Sequence, residues 1–220
     1  MTAEEIIAFM TFSIVAAITP GPSNIMVTAT GAAVGFWRGL PCLLGVGIGM
    51  ASLMFSVAIG LGQILLSHKS ITLVMNWLGA AFLLWLSWKI ATADTTATAK
   101  EKRAIGFLDA AFFQWINPKS WIVSTGAIGA YLHSSSHGLG FQAATFALLF
   151  FLAAVPSLLV WLLFGASLER YLSDQATARI FNRIMGLLLA ALAVEIFSSG
   201  IVELIPALGQ PDLFRYGHKP

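Results

Sequence analysis

Six stretches of this chain are long, apolar and almost free of charge, and together they take up most of its 220 residues. They run over 6–28, 39–67, 71–88, 112–131, 141–168 and 184–202, and the charged side chains inside them are Lys119 and Glu195. An α-helix rises about 1.5 Å per residue, so about 20 residues cross the hydrocarbon of a bilayer. Each stretch is near or above that length, and the pattern predicts an all-α membrane protein of six transmembrane helices. Composition agrees: 58% of residues are hydrophobic and 10% charged, with a mean hydropathy of +0.84, against roughly 25% charged residues in a soluble domain. The polar connections are too short to hide a second domain. A single transmembrane domain over 1–220 is expected, with halves at about 1–90 and 104–205 joined by a linker at about 91–103.

The acidic start MTAEEII lacks the basic region of a cleaved signal, so the first helix is expected to be retained. Cys42 is the single cysteine and has no His or Cys cluster around it, and His68, His133, His137 and His218 fall in connections or tails. No metal site, redox site or cofactor is expected. Orientation follows from the basic residues, which accumulate in short cytoplasmic loops. The first, third and fifth connections carry eight: Arg38, Lys89, Lys100, Lys102, Arg103, Arg170, Arg179 and Arg183. The other side carries three, Lys69, Arg215 and Lys219. Both termini are thus expected outside and the linker inside. A net charge of +2, with its basic residues at span ends, gives no footprint for nucleic acid. Trp37, Trp88, Trp161, Tyr131 and Tyr171 are expected to anchor at the interfaces.

The first stretch contains AAITPGPSNIMV, with Pro20, Gly21 and Pro22 where an unbroken helix would suffice. Proline lacks an amide and clashes with the carbonyl four residues earlier, so Pro20 frees the carbonyl of Ala16 and Pro22 that of Ile18. In hydrocarbon such freed groups persist only against protein or a wet cavity. Pro118 does the same to Gln114, and Pro156 to Leu152. A shift of 98 residues brings Phe9 onto Phe107, Ile18 onto Ile116, Thr19 onto Asn117 and Pro20 onto Pro118; a shift of 107 brings Gly79 onto Gly186. Halves of three spans each insert in opposite orientations, so the pattern predicts two inverted three-helix repeats with broken first and fourth helices. In such proteins paired breaks mark the central site. Thr19, Ser23, Asn24 and Asn117 supply compact polar groups beside the breaks. A kink that serves packing alone is the competing reading.

Lys119 and Glu195 each lie about fourteen residues into their spans, near 20 Å from the cytoplasmic start. Their depths match, and a buried charge is tolerated where it is paired or faces water. Snorkelling remains open for Lys119, and neutral packing for Glu195. Asp109 comes early in the fourth span, at interface depth, and solvation alone would explain it. The second stretch holds Gly39, Gly45, Gly47 and Gly49; small residues permit close helix crossings, sliding contacts or a homodimer. Gly31 and Gly35 are expected to shape a connection.

Taken together, TPGP at 19–22, GAAVGFWRG at 31–39, the glycine-rich second span, NWLGAAFLLWLSWKI at 76–90, NPK at 117–119 and FNRIMG at 181–186 resemble the LysE/RhtB family of amino-acid exporters. The resemblance covers nearly the whole chain in order. It implies an inner-membrane carrier that exports amino acids or close derivatives, driven by proton influx. The run WLGAAFLLWLSWKIATA is similar to the branch exporting cysteine and O-acetylserine. Pro20, Gly21, Pro22, Asn117, Pro118 and Lys119 match the family's motif positions one by one, while Ala110 stands where many members have glycine.

An amino-acid zwitterion needs acceptors for its ammonium and donors for its carboxylate. The carbonyls of Ala16 and Ile18, with Thr19 and Asn24, could supply the first; Lys119 and the half-helix amides the second. Glu195 or Asp109 could carry the proton. A channel would need an open row of pore residues, and a hydrolase a nucleophile partnered with a base at depth. Neither pattern is present, so the chain is expected not to be an enzyme; a membrane scaffold remains the third rival.

Overall fold

A computed structural model of the chain describes residues 1–62, 69–93, 105–132, 138–168 and 174–208, with the side chains of 69–72 and 199–208 excepted. The four histidines, Tyr171, most of the linker and the carboxyl tail lie outside the described residues. Among the described residues every regular element is helical: α1 (Ala3–Ile18), α2 (Pro22–Ser56) running into a π-helical turn (Val57–Leu61), α3 (Lys69–Ala91), α4 (Phe107–Ile116), α5 (Pro118–Tyr131), α6 (Leu139–Leu168) and α7 (Gln175–Leu208). Thr2 opens α1 with a capping box, its hydroxyl taking the Glu5 amide while the Glu5 carboxylate takes its own.

Among the described residues four helical segments are long and apolar enough to cross a membrane: Pro22–Leu61, Leu73–Ala91, Leu139–Leu168 and Gln175–Ser198. The first is 40 residues, which as a straight rod would span about 60 Å, twice the hydrocarbon thickness. It is not straight. Gly35 has φ 77° and ψ 179°, a conformation open to glycine and closed to other residues. The Thr30 hydroxyl consequently lies 3.7 Å from the Cys42 sulfur, although twelve residues of straight helix would separate them by about 18 Å. The arms 22–34 and 36–56 double back on each other, and one side chain, Leu162 of α6, abuts both Gly31 and Gly39. Gly35 therefore makes the connection, whereas Gly31 serves packing. The expected first and fourth spans appear as shorter helices meeting end to end, α1 with the start of α2 and α4 with α5.

Close crossings hold the bundle together. A Cβ on Gly165 would overlap the Thr28 backbone, one on Gly45 the Phe107 carbonyl, and one on Gly49 the backbone of Ala111. Gly47 faces the Phe151 ring. The glycines of the second stretch are thus used within the chain, bringing α2 against α4 and α6. Gly45 also makes room for the fully buried Ala110 methyl, which accommodates the alanine at that position. On the periphery α3 pairs with α7: the Ser87 hydroxyl donates to the Gly186 carbonyl at 2.8 Å, and Gly186 presses on Ala91. Phe9, Phe146 and Tyr131 close one end of the core, their rings 5.0 and 5.5 Å from Phe9. Outward faces are apolar: Leu152, Val160, Leu187 and Val194 are each more than half exposed. In water such a surface would aggregate; in a bilayer, lipid covers it.

Candidate functional site

The first break runs from Thr19 to Gly21, between the end of α1 and the start of α2. A helix leaves its last carbonyls without intrahelical donors, and here side chains supply them. The Asn24 amide donates to the carbonyls of Ala17 at 3.0 Å, Thr19 at 3.2 Å and, more weakly, Ile18 at 3.5 Å. Trp161 of α6 donates its indole N–H to Ile18 at 3.2 Å. Trp161, expected as an interface anchor, thus closes the break from across the bundle. Trp37 and Trp88, in contrast, are 79% and 72% exposed, consistent with anchoring.

The second break is Asn117 alone, between α4 and α5. Its side chain caps α5 by accepting the Lys119 amide at 3.1 Å, and Pro118 fits the first helical position, where no amide is needed. Pro118 and the Ile116 carbonyl are packed against Gly79 of α3 so closely that a Cβ there would overlap them.

The two breaks meet. Lys119 extends its ammonium across to the Thr19 carbonyl at 2.7 Å and the Pro20 carbonyl at 3.4 Å. Gly21 permits this crossing, since a Cβ there would stand 2.9 Å from both Cδ and Nζ of Lys119. Beside the crossing runs a polar chain: Ser23 and Ser120 hydroxyls donate to Gln114 Oε1 at 3.0 and 2.9 Å, Asn117 donates to the Ser23 hydroxyl at 3.2 Å, and Gln114 Nε2 donates to the Ala110 carbonyl at 3.1 Å. Gln114, Asn117, Ser120 and Asn24 are all buried, and their mutual bonds offset the cost of burying them.

These groups line a cavity of about 50 Å³, room for a few ordered waters. Gly21, Ser23, Asn24, Gln114, Asn117, Lys119 and Ser120 line it together with an apolar set, Ala16, Ala17, Val46, Met50, Val123, Phe150, Ala154 and Leu158. The lining thus combines polar groups and a cation with an apolar wall and holds no carboxylate. Backbone acceptors beside a cation are the chemical complement of a zwitterion.

Of the residues expected from sequence, Ala16, Gly21, Asn24, Asn117 and Lys119 line this cavity, whereas Ile18, Thr19 and Pro20 are exposed and are not part of its lining. Pro22 is buried as the first residue of α2, and Pro118 packs on α3. The structure does not bring Asp109 or Glu195 to the cavity. Asp109 is exposed in the first turn of α4, and Glu195 is exposed on α7, none of whose residues lines the cavity. Gln114, Ser120 and Trp161 were not among the site residues expected from the sequence. For Gln114 and Ser120 the signal was there, polar side chains flanking NPK in an apolar run; for Trp161 there was none. Among the described residues no group of three His, Cys, Asp or Glu side chains could hold a metal.

The family profile described as "LysE type translocator" matches residues 14–200. A "Cysteine/O-acetylserine efflux protein" of Salmonella typhimurium is 28% identical over 197 residues, 90% of this chain and 100% of the relative. The protein of the same description from Escherichia coli is 28% identical over 198 residues, again 90% of this chain and 100% of the relative. No solved structure gives a significant match.

Proposed function

The chain belongs to the family of LysE type translocators, and on that premise we propose that it exports an amino acid or close derivative through the cavity where its two broken helices meet. It is a multi-pass protein of the inner membrane and a secondary transporter of amino acids or their derivatives, not an enzyme. The observation that carries the site is the bond from Lys119 to the Thr19 carbonyl, which joins the two breaks at one point.

The substrate's ammonium is assigned to the carbonyls of the first break, with Asn24 alongside, and its carboxylate to Lys119. Its side chain would enter between Met50 and Phe150 on the apolar wall. A small, weakly polar side chain suits that wall, and the relatives described as cysteine and O-acetylserine efflux proteins favour a substrate of that size. Two inverted repeats of three spans each are supported by the shared helix ends: Ile18 and Ile116 coincide under the 98-residue shift. The fold-back at Gly35 supports the pass count by dividing α2 into two spans. The eight-to-three distribution of basic residues supports termini outside.

Proton influx is proposed as the driving force. Asp109 shares α4 with Gln114, so its titration would act on the polar chain through one helix. Glu195 would act through α3, which packs on α7 and on both halves of the second broken helix. Counterflow of a labelled amino-acid panel in proteoliposomes tests the reading, repeated with the proton gradient collapsed. Uptake of small amino acids that depends on the gradient is expected. Absence of counterflow for every amino acid and derivative in the panel would overturn it.

A further inference from the structure

Of the donors on the first break, the Lys119 ammonium is carried on the longest side chain, with the most rotatable bonds. Asn24 is a short, buried amide that bonds within its own helix entrance, and Trp161 is a rigid indole held by α6. Lys119 is a long chain, half-buried, that reaches the carbonyls of Thr19 and Pro20 from another helix. Its head is a primary ammonium with three donors, the same group that an amino acid carries on its α-carbon. Two such cations cannot share one pair of carbonyls, because like charges at contact repel. The cavity beside it is small, as expected if a side chain of the protein already fills part of the place.

We propose that Lys119 is a built-in stand-in for the substrate's ammonium: an arriving amino acid takes the Thr19 and Pro20 carbonyls by displacing Lys119, which then swings to the substrate's carboxylate. This rests on the transport reading above and adds an order of events to it. The exchange conserves charge, since a neutral zwitterion enters and one lysine cation remains. It also explains selection for a molecule bearing both groups. A simple amine could displace Lys119 but would leave that cation without an anion; a simple carboxylate could draw Lys119 away but would leave the Thr19 and Pro20 carbonyls without that donor. Both are therefore excluded by the same side chain.

The proposal makes an unusual demand on Gly21. A methyl at that position would stand 2.9 Å from Lys119 Cδ and Nζ, and the flexible end of the lysine can yield while the backbone stays. Gly21 has φ −172°, extended backbone that alanine adopts readily. Gly21→Ala should thus push Lys119 off the carbonyls without removing its charge, relieving the substrate of its competitor. Equilibrium binding to the purified full chain provides the test, with a labelled small amino acid and with ethylammonium as probes. Gly21→Ala is expected to bind the amino acid roughly tenfold more tightly than wild type, the equivalent of one charge-assisted hydrogen bond no longer broken on entry. Lys119→Met is expected to bind ethylammonium about tenfold more tightly than wild type, because its carbonyls stand open. Unchanged or weaker amino-acid binding by a folded Gly21→Ala would overturn the proposal. If that variant does not fold, the ethylammonium comparison decides alone, and equal amine binding by Lys119→Met and wild type would overturn it. A wild type that binds amino acid but moves none across liposomes would instead sink the transport reading and leave this one standing.

Discussion

The two proline breaks come from matching stretches of sequence, yet the chain completes them in different ways. The first opens three residues, Thr19 to Gly21, and the second only Asn117. The second closes largely on itself: Asn117 caps the following helix, and the Trp121 indole donates to the Trp115 carbonyl at 2.7 Å. The first draws donors from 5, 100 and 143 residues away, in Asn24, Lys119 and Trp161. Its edge, Ile18 to Pro20, is exposed, whereas Asn117 is 2% exposed. The two breaks are complementary: one presents acceptors, and the other presents the cation that meets them. A symmetric pair could not do this, because two acceptor-rich breaks facing each other would leave both short of donors.

The harshest way to break that complementarity is to remove its cation. Lys119→Met forfeits a charge-assisted bond of about 1.5–3 kcal/mol and the partner assigned to the substrate's carboxylate. Counterflow of amino acid should fall at least about tenfold, with the protein still eluting as a folded species. Wild-type flux in this variant would show that the bond between the breaks is only architectural.

The asymmetry itself predicts unequal effects of two matched substitutions. Asn24→Ala takes the side-chain donor from the Ala17 carbonyl, at a cost of about 1–3 kcal/mol for a buried group left unpaired, and leaves the Thr19 carbonyl with Lys119 alone. Asn117→Ala removes one helix cap, about 1 kcal/mol, and one bond to Ser23. Thermal unfolding in detergent should therefore drop further for Asn24→Ala than for Asn117→Ala. The reverse order would mean that the second break, not the first, depends on its side-chain donors.

Glu195 offers the smallest effect on binding. It sits on α7, none of whose described residues lines the cavity, so Glu195→Gln should bind amino acid within about threefold of wild type. Its neutral isostere cannot exchange a proton, so gradient-driven flux should lose part of its pH dependence. If flux retains the wild-type pH profile, the proton role passes to Asp109.

What the sequence determined by itself was the solvent and the places where helices stop. Apolarity over 20-residue windows is a property of the chain alone, and it places these helices in lipid whatever their neighbours. Proline acts on its own backbone, so breaks were to be expected at Pro20 and Pro118, and α1 and α4 end just before them, at Ile18 and Ile116. Lys119 and Asn24 were legible as site residues for a related reason, since polar groups at a break in hydrocarbon need partners. The tertiary structure decided who those partners are. That Trp161 serves Ile18, that Gln114 gathers Ser23 and Ser120, and that Asp109 and Glu195 stand apart from the cavity all follow from how α2, α4 and α6 cross. Those crossings are set by backbone approach at Gly45, Gly49 and Gly165 and by the fold-back at Gly35. Hydrogen bonds across 91 to 143 residues depend on the three-dimensional register of packed helices, which no local property of the chain encodes.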